Sequence, residues 1–329
     1  DSEPYITFQR AELLTDFYMQ SDDTELSVPV RRAMAFKHIM ENKKICVMRG
    51  ELIVGERGKF PKSTPTYPEI CLHTVDDLQQ LNDREKQYFL VDEETKKVYS
   101  EKIIPYWKNR NIRDRIMSEL PKEWKDAYEA GVFTEFQEQR APGHTVLGKK
   151  MFDLGFNDLI KEIDDTIARL DFCNDPKAFD KKEQLKGMKI AAEGIISFAA
   201  RHITKIESRI AEEKDENKIN EWLEMIANLK VIPAQAPQTF WQALQHYWFI
   251  HQGVITELNP WDSFNPGRLD QHLYPFYKRD IESGILTKER AKELLMAFWI
   301  KFNNHPAPPK MGVTLKESST YTDFSLINV

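Results

Sequence analysis

Asn259-Pro-Trp-Asp-Ser-Phe-Asn-Pro-Gly-Arg-Leu-Asp-Gln-His-Leu-Tyr-Pro-Phe-Tyr277 follows a strongly apolar stretch and opens a long helical one. Pro260, Pro266 and Gly267 exclude a regular helix through its first half, because proline removes a backbone donor and restricts the residue before it. Asp262, Asn265, Arg268 and Asp270 stand among Trp261, Phe264, Tyr274, Phe276 and Tyr277. A broken backbone carrying acid, amide and guanidinium groups between aromatics predicts the wall of a buried polar pocket. The alternative is a capped loop in which Arg268 pairs with Asp262 or Asp270.

On the N-terminal side, Pro233-Ala-Gln-Ala-Pro237 leads into Thr239–Ile250, a stretch apolar almost all round, which predicts an interior helix. His246 and His251 lie on it five apart, the wrong spacing for a metal pair on one helical face, and read as packed histidines. On the C-terminal side, Thr287 caps an amphipathic helix through Asn303, and His305–Leu315 goes from turn to strand. Further upstream, helical periodicity covers residues 1–42 and 150–230, with a break at Asp215-Glu-Asn217. Charged helices fill 75–131, and Gly131 ends them. Ile45-Cys-Val-Met48 and Leu52-Ile-Val-Gly55 read as paired strands or one buried strand, and the proline-rich Pro61–Pro68 as loop. Long helices alternating with short apolar runs place the chain in the α/β class.

The 329 residues include 19 Phe, 11 Tyr and 7 Trp, enough to build a large core. A formal charge of −6 without a basic run leaves no nucleic-acid footprint. No apolar segment approaches a bilayer span, and DSEPYITFQR is not a signal peptide, so a cytoplasmic location is expected. Cys46, Cys71 and Cys173 are scattered and outside any CxxC pattern, which speaks against a disulfide framework or a metal centre and for apolar packing. The ending Ser325-Leu-Ile-Asn-Val329 breaks off in an apolar segment, as expected of a fragment.

Phosphate-binding loops, HExxH, GxSxG and strand-linked GxGxxG are all missing from the sequence. What remains is a scatter of polar residues in turn-like backbone: His144 after Pro142-Gly143, Asp262, Ser318 and Asp323. A histidine beside carboxylates holds or protonates a leaving hydroxyl, a carboxylate pairs with an ammonium, and a serine with backbone amides holds a carboxylate. That set suits a small zwitterion better than a polymer. Each residue alone also fits a cap or turn role.

Leu52-Ile-Val-Gly-Glu-Arg-Gly58, Pro233-Ala-Gln-Ala-Pro-Gln-Thr-Phe-Trp-Gln-Ala-Leu-Gln245 and Asn265-Pro-Gly-Arg-Leu-Asp-Gln271 resemble, in order, the N-terminal portion of the glycyl radical enzymes, the superfamily of pyruvate formate-lyase. Arg140-Ala-Pro-Gly-His-Thr145, Asn259–Phe264, Pro306-Ala-Pro-Pro-Lys310 and Glu317–Phe324 are most similar to members that remove water from hydroxyproline to give pyrroline-5-carboxylate. The resemblance implies an α/β fold, the N-terminal part of a ten-stranded barrel of two half-barrels with a helix-rich exterior. It treats residues 1–329 as a single portion of that domain. It implies a protein-derived glycyl radical, installed by a radical S-adenosylmethionine activating enzyme, that oxidises a cysteine to a thiyl. It also implies a small amino-acid substrate and a homodimer. By the same resemblance His144 and Asp262 correspond to residues near the hydroxyl and the ring nitrogen. Ser318 would help hold the carboxylate, and Asp323 with Phe324 would line the pocket.

The chain departs from the family in what it lacks. None of its cysteines sits in a Gly-Cys-x-Glu loop, and no Arg-Val-x-Gly pattern occurs, so this chain carries neither the thiyl nor the glycyl residue. Leu269 and His272 stand where aromatics are common. The alternatives are a glycyl radical enzyme for a diol, an aminoalcohol, a decarboxylation or a carbon–carbon cleavage, and a non-catalytic helical scaffold.

Overall fold

The computed structural model describes residues 3–85, 88–132, 148–258 and 266–306. In chain order these form β1 (Tyr5–Thr7), α1 (Gln9–Ser21), α2 (Val28–Asn42), β2 (Ser63–Pro65), α3 (Val75–Asp83), α4 (Glu93–Val98), a π-type turn at Tyr99–Ile103, α5 (Ile104–Trp107), α6 (Ile112–Glu119) and α7 (Lys122–Glu129). They continue with α8 (Lys150–Asp153), α9 (Phe156–Ala168), α10 (Ala178–Ile210), α11 (Glu216–Val231), α12 (Phe240–Glu257), α13 (Leu269–Glu282) and α14 (Lys288–Asn303).

Local chemistry explains most of these limits. Pro29 sits in the first turn of α2, where its missing N–H is no loss. Asp215 caps α11, Thr239 caps α12 and Thr287 caps α14, each accepting from a backbone N–H of the first turn. Gly131, with φ +72°, closes the stretch after α7.

Two cores result. The larger gathers α12 with the inner faces of α2, α8, α9, α10, α11, α13 and α14. The smaller lies under α1 and joins Ile6, Leu14, Ile39, Leu78, Phe89, Tyr99, Ile103 and Trp107. Helix α12 is buried on every side, as its sequence predicts, and runs seven residues beyond Ile250. Helix α10, 33 residues and roughly 50 Å long, lies along α2 and spans much of the larger core.

The expected strands at 45–48 and 52–55 do not form; both stretches are irregular. Residues 52–55 run alongside α12, and side chains of that helix supply the hydrogen bonds a strand neighbour would have made. Trp241 Nε1 donates to the Leu52 carbonyl at 2.7 Å. Gln245 both accepts from Val54 N–H at 2.7 Å and donates to Val54 C=O at 2.8 Å, and Trp248 Nε1 donates to the Gly55 carbonyl at 2.8 Å. A buried backbone needs partners, not a ladder as such. Gly55, at φ +120°, lies so close to the Trp248 indole that an added Cβ would sit 3.2 Å from Cδ1.

The proline-rich loop holds a strand instead: β2 pairs in parallel with β1, Tyr5 opposite Ser63 and Thr7 opposite Pro65. Pro65 closes the short strand, where its lack of a donor is tolerated. The expectation that all three cysteines pack in the core holds only in part. Cys71 is buried and Cys46 half-buried, whereas Cys173 is exposed in the turn after α9.

Candidate functional site

His144, Asp262, Ser318, Asp323 and Phe324 lie outside the described residues. The chain on both sides of the segments holding His144 and Asp262 is described, as is the chain leading up to Ser318, Asp323 and Phe324, and these described flanks all meet α12.

The end of α12 leads into the segment holding Asp262. Its final carbonyls would be unpaired without outside donors. Tyr67 Oη donates to the Ile255 carbonyl, and Arg10 Nε donates to that of Thr256 at 2.5 Å. Arg10 Nη2 reaches the Glu257 carbonyl at 3.5 Å, and Nη1 donates to Thr66 C=O at 3.1 Å. Glu69 takes the rest of the fork at 2.5 and 3.2 Å. The guanidinium is buried and stacks 4.1 Å from the Tyr67 ring centroid. Burial works against its charge, but Glu69, together with Tyr67 and Glu257, outweighs burial and raises its pKa. A cation at a helix C-terminus also complements the helix dipole. Beyond the segment, Arg268 and Asp270 are exposed at the start of α13, so the expected pocket wall does not extend to them in this chain.

The segment holding Ser318, Asp323 and Phe324 continues from Pro306. A buried ionic cluster closes the end of α14 at this point. Lys301 Nζ lies 2.7 Å from Glu51 and 2.5 Å from Glu56. Burial disfavours the ammonium, but the two carboxylates hold its pKa above the ordinary lysine value. His305 Nε2 is 2.9 Å from the other Glu56 oxygen, and Gln252 Nε2 is 3.2 Å from His305 Nδ1. An amide donating to Nδ1 leaves the imidazole proton on Nε2, facing the carboxylate. Burial, reinforced by Arg57, Lys301 and Lys43, keeps His305 neutral by driving its pKa well below the usual value.

The segment holding His144 ends near α8. Met151 and Phe152 of α8 are buried against the larger core, where α8 packs on α12, and the Phe156 ring just beyond lies 6.4 Å from that of His246. Phe152 stacks on His272 of α13, centroids 5.2 Å apart. The chain then passes through Gly155, whose added Cβ would fall 2.4 Å from the Gln235 Cα. Close packing of α9 against the segment leading into α12 therefore requires glycine at this position. Phe156 N–H donates to the Pro233 carbonyl at 2.9 Å and Asn157 N–H to that of Ala234 at 2.9 Å.

His246 and His251 are packed histidines, as expected. Burial lowers the pKa of His246 to about 4, and burial with His305 and Arg57 lowers that of His251 well below normal. His251 stacks on Trp248 at 5.0 Å and meets Tyr247 Oη at 3.2 Å.

What the sequence reading missed is the polar stripe on α12. Trp241, Gln245, Trp248 and Gln252 recur at intervals of four, three and four, so they share one face. Indoles and amides count as apolar or neutral in a periodicity reading. Donors repeating at helical spacing on an otherwise all-apolar helix were the available signal.

Among the described residues no group of His, Cys, Asp and Glu is placed to hold a metal, and no helix is long and apolar enough to cross a membrane. Two surface clefts, of about 170 and 540 Å³, are lined by Arg49, Arg209 and Trp222 and by Glu25, Val28 and Phe179 respectively. Neither is lined by α12.

Comparisons with known proteins agree on one family. The family described as pyruvate formate lyase-like matches residues 1–329. Trans-4-hydroxy-L-proline dehydratase of Clostridioides difficile is 51% identical over 328 residues, 100% of this chain and 41% of that protein. (2S)-3-sulfopropanediol dehydratase of Klebsiella oxytoca is 29% identical over 92% of this chain and 37% of its own length. The crystal structure of the Clostridioides difficile hydroxyproline dehydratase with bound trans-4-hydroxy-L-proline superposes with a TM-score of 0.93, covering 99% of this chain and 41% of that one. A Roseburia inulinivorans structure concerned with 1,2-propanediol dehydration, 28% identical, gives 0.85 over 93% of this chain and 36% of that one. The chain thus spans about two fifths of the length of the relatives it matches. A helix-rich α/β chain with α12 at its centre, matching over its entire length, belongs to the pyruvate formate lyase-like family.

Proposed function

We propose that this chain is the N-terminal portion of a glycyl radical dehydratase that eliminates water from trans-4-hydroxy-L-proline to give pyrroline-5-carboxylate. The observation that carries the reading is the 51% identity, over the full length of the chain, to a hydroxyproline dehydratase. Matches to the diol-related structure stand at 28%, which favours the amino-acid substrate. In this reading residues 1–329 form one portion of a domain whose complete form is the ten-stranded barrel.

The three roots on α12 support a shared chamber for the five candidate residues. His246, Gln252 and Thr256 mark the three attachments, and ten residues of helix separate the outer two by roughly 15 Å. Segments leaving so short a stretch of one helix can reach a common centre. His144 and Asp262 then hold the hydroxyl and the ring nitrogen, with His144 protonating the departing oxygen. Ser318 binds the carboxylate, while Asp323 and Phe324 line the pocket and exclude water. Elimination of water is redox-neutral overall, so no external oxidant is needed.

A protein-derived glycyl radical supplies the hydrogen abstraction in such enzymes. The cysteines of this chain do not fit the part of a thiyl: none of Cys46, Cys71 and Cys173 stands in a Gly-Cys-x-Glu setting. The reading therefore assigns both radical residues to the remainder of the protein. It also carries a radical S-adenosylmethionine activating enzyme, a homodimeric assembly and a cytoplasmic location.

The test uses the complete, activated protein under strict anaerobiosis. Asp262→Asn is expected to lower hydroxyproline turnover at least a hundredfold with the glycyl radical signal intact. Unchanged turnover would reject the role given to Asp262.

A further inference from the structure

Residues 301–306 are held from one side by the segment 51–62. Glu51 and Glu56 bind Lys301, and Glu56 also meets Asn304 Nδ2 at 3.5 Å and His305 at 2.9 Å. Lys62 N–H donates to the Asn304 carbonyl at 3.0 Å. Arg57 completes the grip: Nη2 donates to the Pro306 carbonyl at 2.6 Å and reaches Thr64 Oγ1 at 3.5 Å. Its Nε and Nη1 are buried and meet no acceptor among the described residues.

That last feature is what folding alone does not explain. A guanidinium buried with two idle donors is poorer for stability than an apolar side chain of similar volume. Glu56, its sequence neighbour, is already engaged by Lys301 and His305. Lys301 takes both carboxylates, Glu51 and Glu56, while burial lowers the pKa of Arg57 to about 10. What Arg57 does contribute is one short, charge-assisted bond to the last described carbonyl of the chain root. Side chains whose burial weakens the fold are retained where they fix a functional geometry.

We propose that Glu56 and Arg57 are positioning residues for the reaction: together they set where the backbone leaves α14 at Pro306, and through it the placement of substrate-holding groups further along. The proposal rests on the dehydratase reading above. It predicts that the pair acts on substrate binding and orientation, not on radical formation or on folding.

The experiment uses the complete protein, activated anaerobically, with Arg57→Met, Arg57→Lys and Glu56→Gln compared to the parent. Four quantities are read: glycyl radical content by electron paramagnetic resonance, thermal midpoint, and kcat and KM for trans-4-hydroxy-L-proline. Arg57→Met is expected to keep the midpoint and the radical content of the parent. Its kcat/KM should fall roughly tenfold to a hundredfold, chiefly through KM, as misplacement of binding groups by an ångström would produce. Arg57→Lys should recover part of the loss, because it keeps one donor for the Pro306 carbonyl. If Arg57→Met does not fold, a three- to tenfold rise in KM for Arg57→Lys with normal radical content carries the same support.

Parent-like kcat/KM in Arg57→Met, or in a folded Arg57→Lys when Met fails, would overturn the proposal. So would losses of activity, radical and midpoint in parallel without recovery by lysine, which mark a structural role. A radical-loaded parent that leaves hydroxyproline intact would sink the dehydratase reading and this proposal with it. Turnover by the parent and Arg57→Met alike removes the proposal alone.

Discussion

Gln245→Leu tests whether side chains of α12 truly replace a strand ladder. Gln245 is buried and makes two bonds to one residue, accepting from Val54 N–H at 2.7 Å and donating to Val54 C=O at 2.8 Å. Leucine fills nearly the same volume but leaves both backbone groups without partners. Each unpaired buried group costs about 1–3 kcal/mol. Burying a leucine in place of a polar amide offsets about 1.5–2 kcal/mol. The net loss is therefore on the order of 2 kcal/mol, with about 4 kcal/mol as its upper end. For a unit of this size that corresponds to a fall in Tm of roughly 3 °C. Hydrogen exchange gives the sharper assay, since protection of the Val54 amide should collapse while that of helix α10 persists. Gln242→Leu serves as the control, because Gln242 reaches only the Gln238 N–H and the Asn228 side chain near the helix start. Unchanged exchange at Val54, with a Tm within about 1–2 °C of the parent, would refute the idea that α12 side chains hold the backbone of residues 52–55.

Arg10→Met removes the guanidinium that caps Thr256 and Glu257 and pairs with Glu69. Glu69 keeps some solvent access, which moderates the penalty to about 3 kcal/mol by denaturant titration. Arg10→Lys should restore less than half, because an ammonium cannot serve the fork geometry. Acid sensitivity follows from the buried histidines. Burial lowers His202 to about 3 and His246 to about 4, below the unfolded value near 6.5. These groups are neutral in the folded chain, so their contribution is fully present above about pH 6.5 and is lost as pH falls toward the folded values. The loss is bounded at about 5 kcal/mol for His202 and about 3 kcal/mol for His246. Among the described residues His202 hydrogen-bonds only the Phe198 carbonyl, and its Nε2 has no partner. His202→Phe should therefore be near neutral at about pH 7.5 and move the acid-unfolding midpoint downward, as followed by tryptophan fluorescence; an unmoved midpoint would contradict the assignment.

The helices were legible from sequence because their causes are local. Thr239 and Thr287 cap, Pro29 and Gly131 start and stop, and the all-apolar run after Thr239 marks an interior helix whatever surrounds it. The strands were misread for the converse reason. Val47 and Leu52–Val54 are buried, as their composition demands, but burial does not specify which donors satisfy the backbone. Those donors are Trp241, Gln245 and Trp248, about 190 residues away. Asp262 and Ser318 were nominated from residue type and resemblance. Their roots at Arg10 and at Glu56–Arg57 were not, since a charged residue beside an apolar run reads as surface until the fold buries it.

By itself, then, the amino-acid sequence determined the helical periods, their caps, the central place of the stretch after Thr239 and the family to which the chain belongs. Only the tertiary structure decided that Glu56, Arg57, Lys301 and His305 form one buried ionic cluster and that Arg10 closes the far end of α12. The reason is physical. Helical pattern and capping depend on neighbours within a few residues, whereas the fate of a charge depends on which distant groups replace its water.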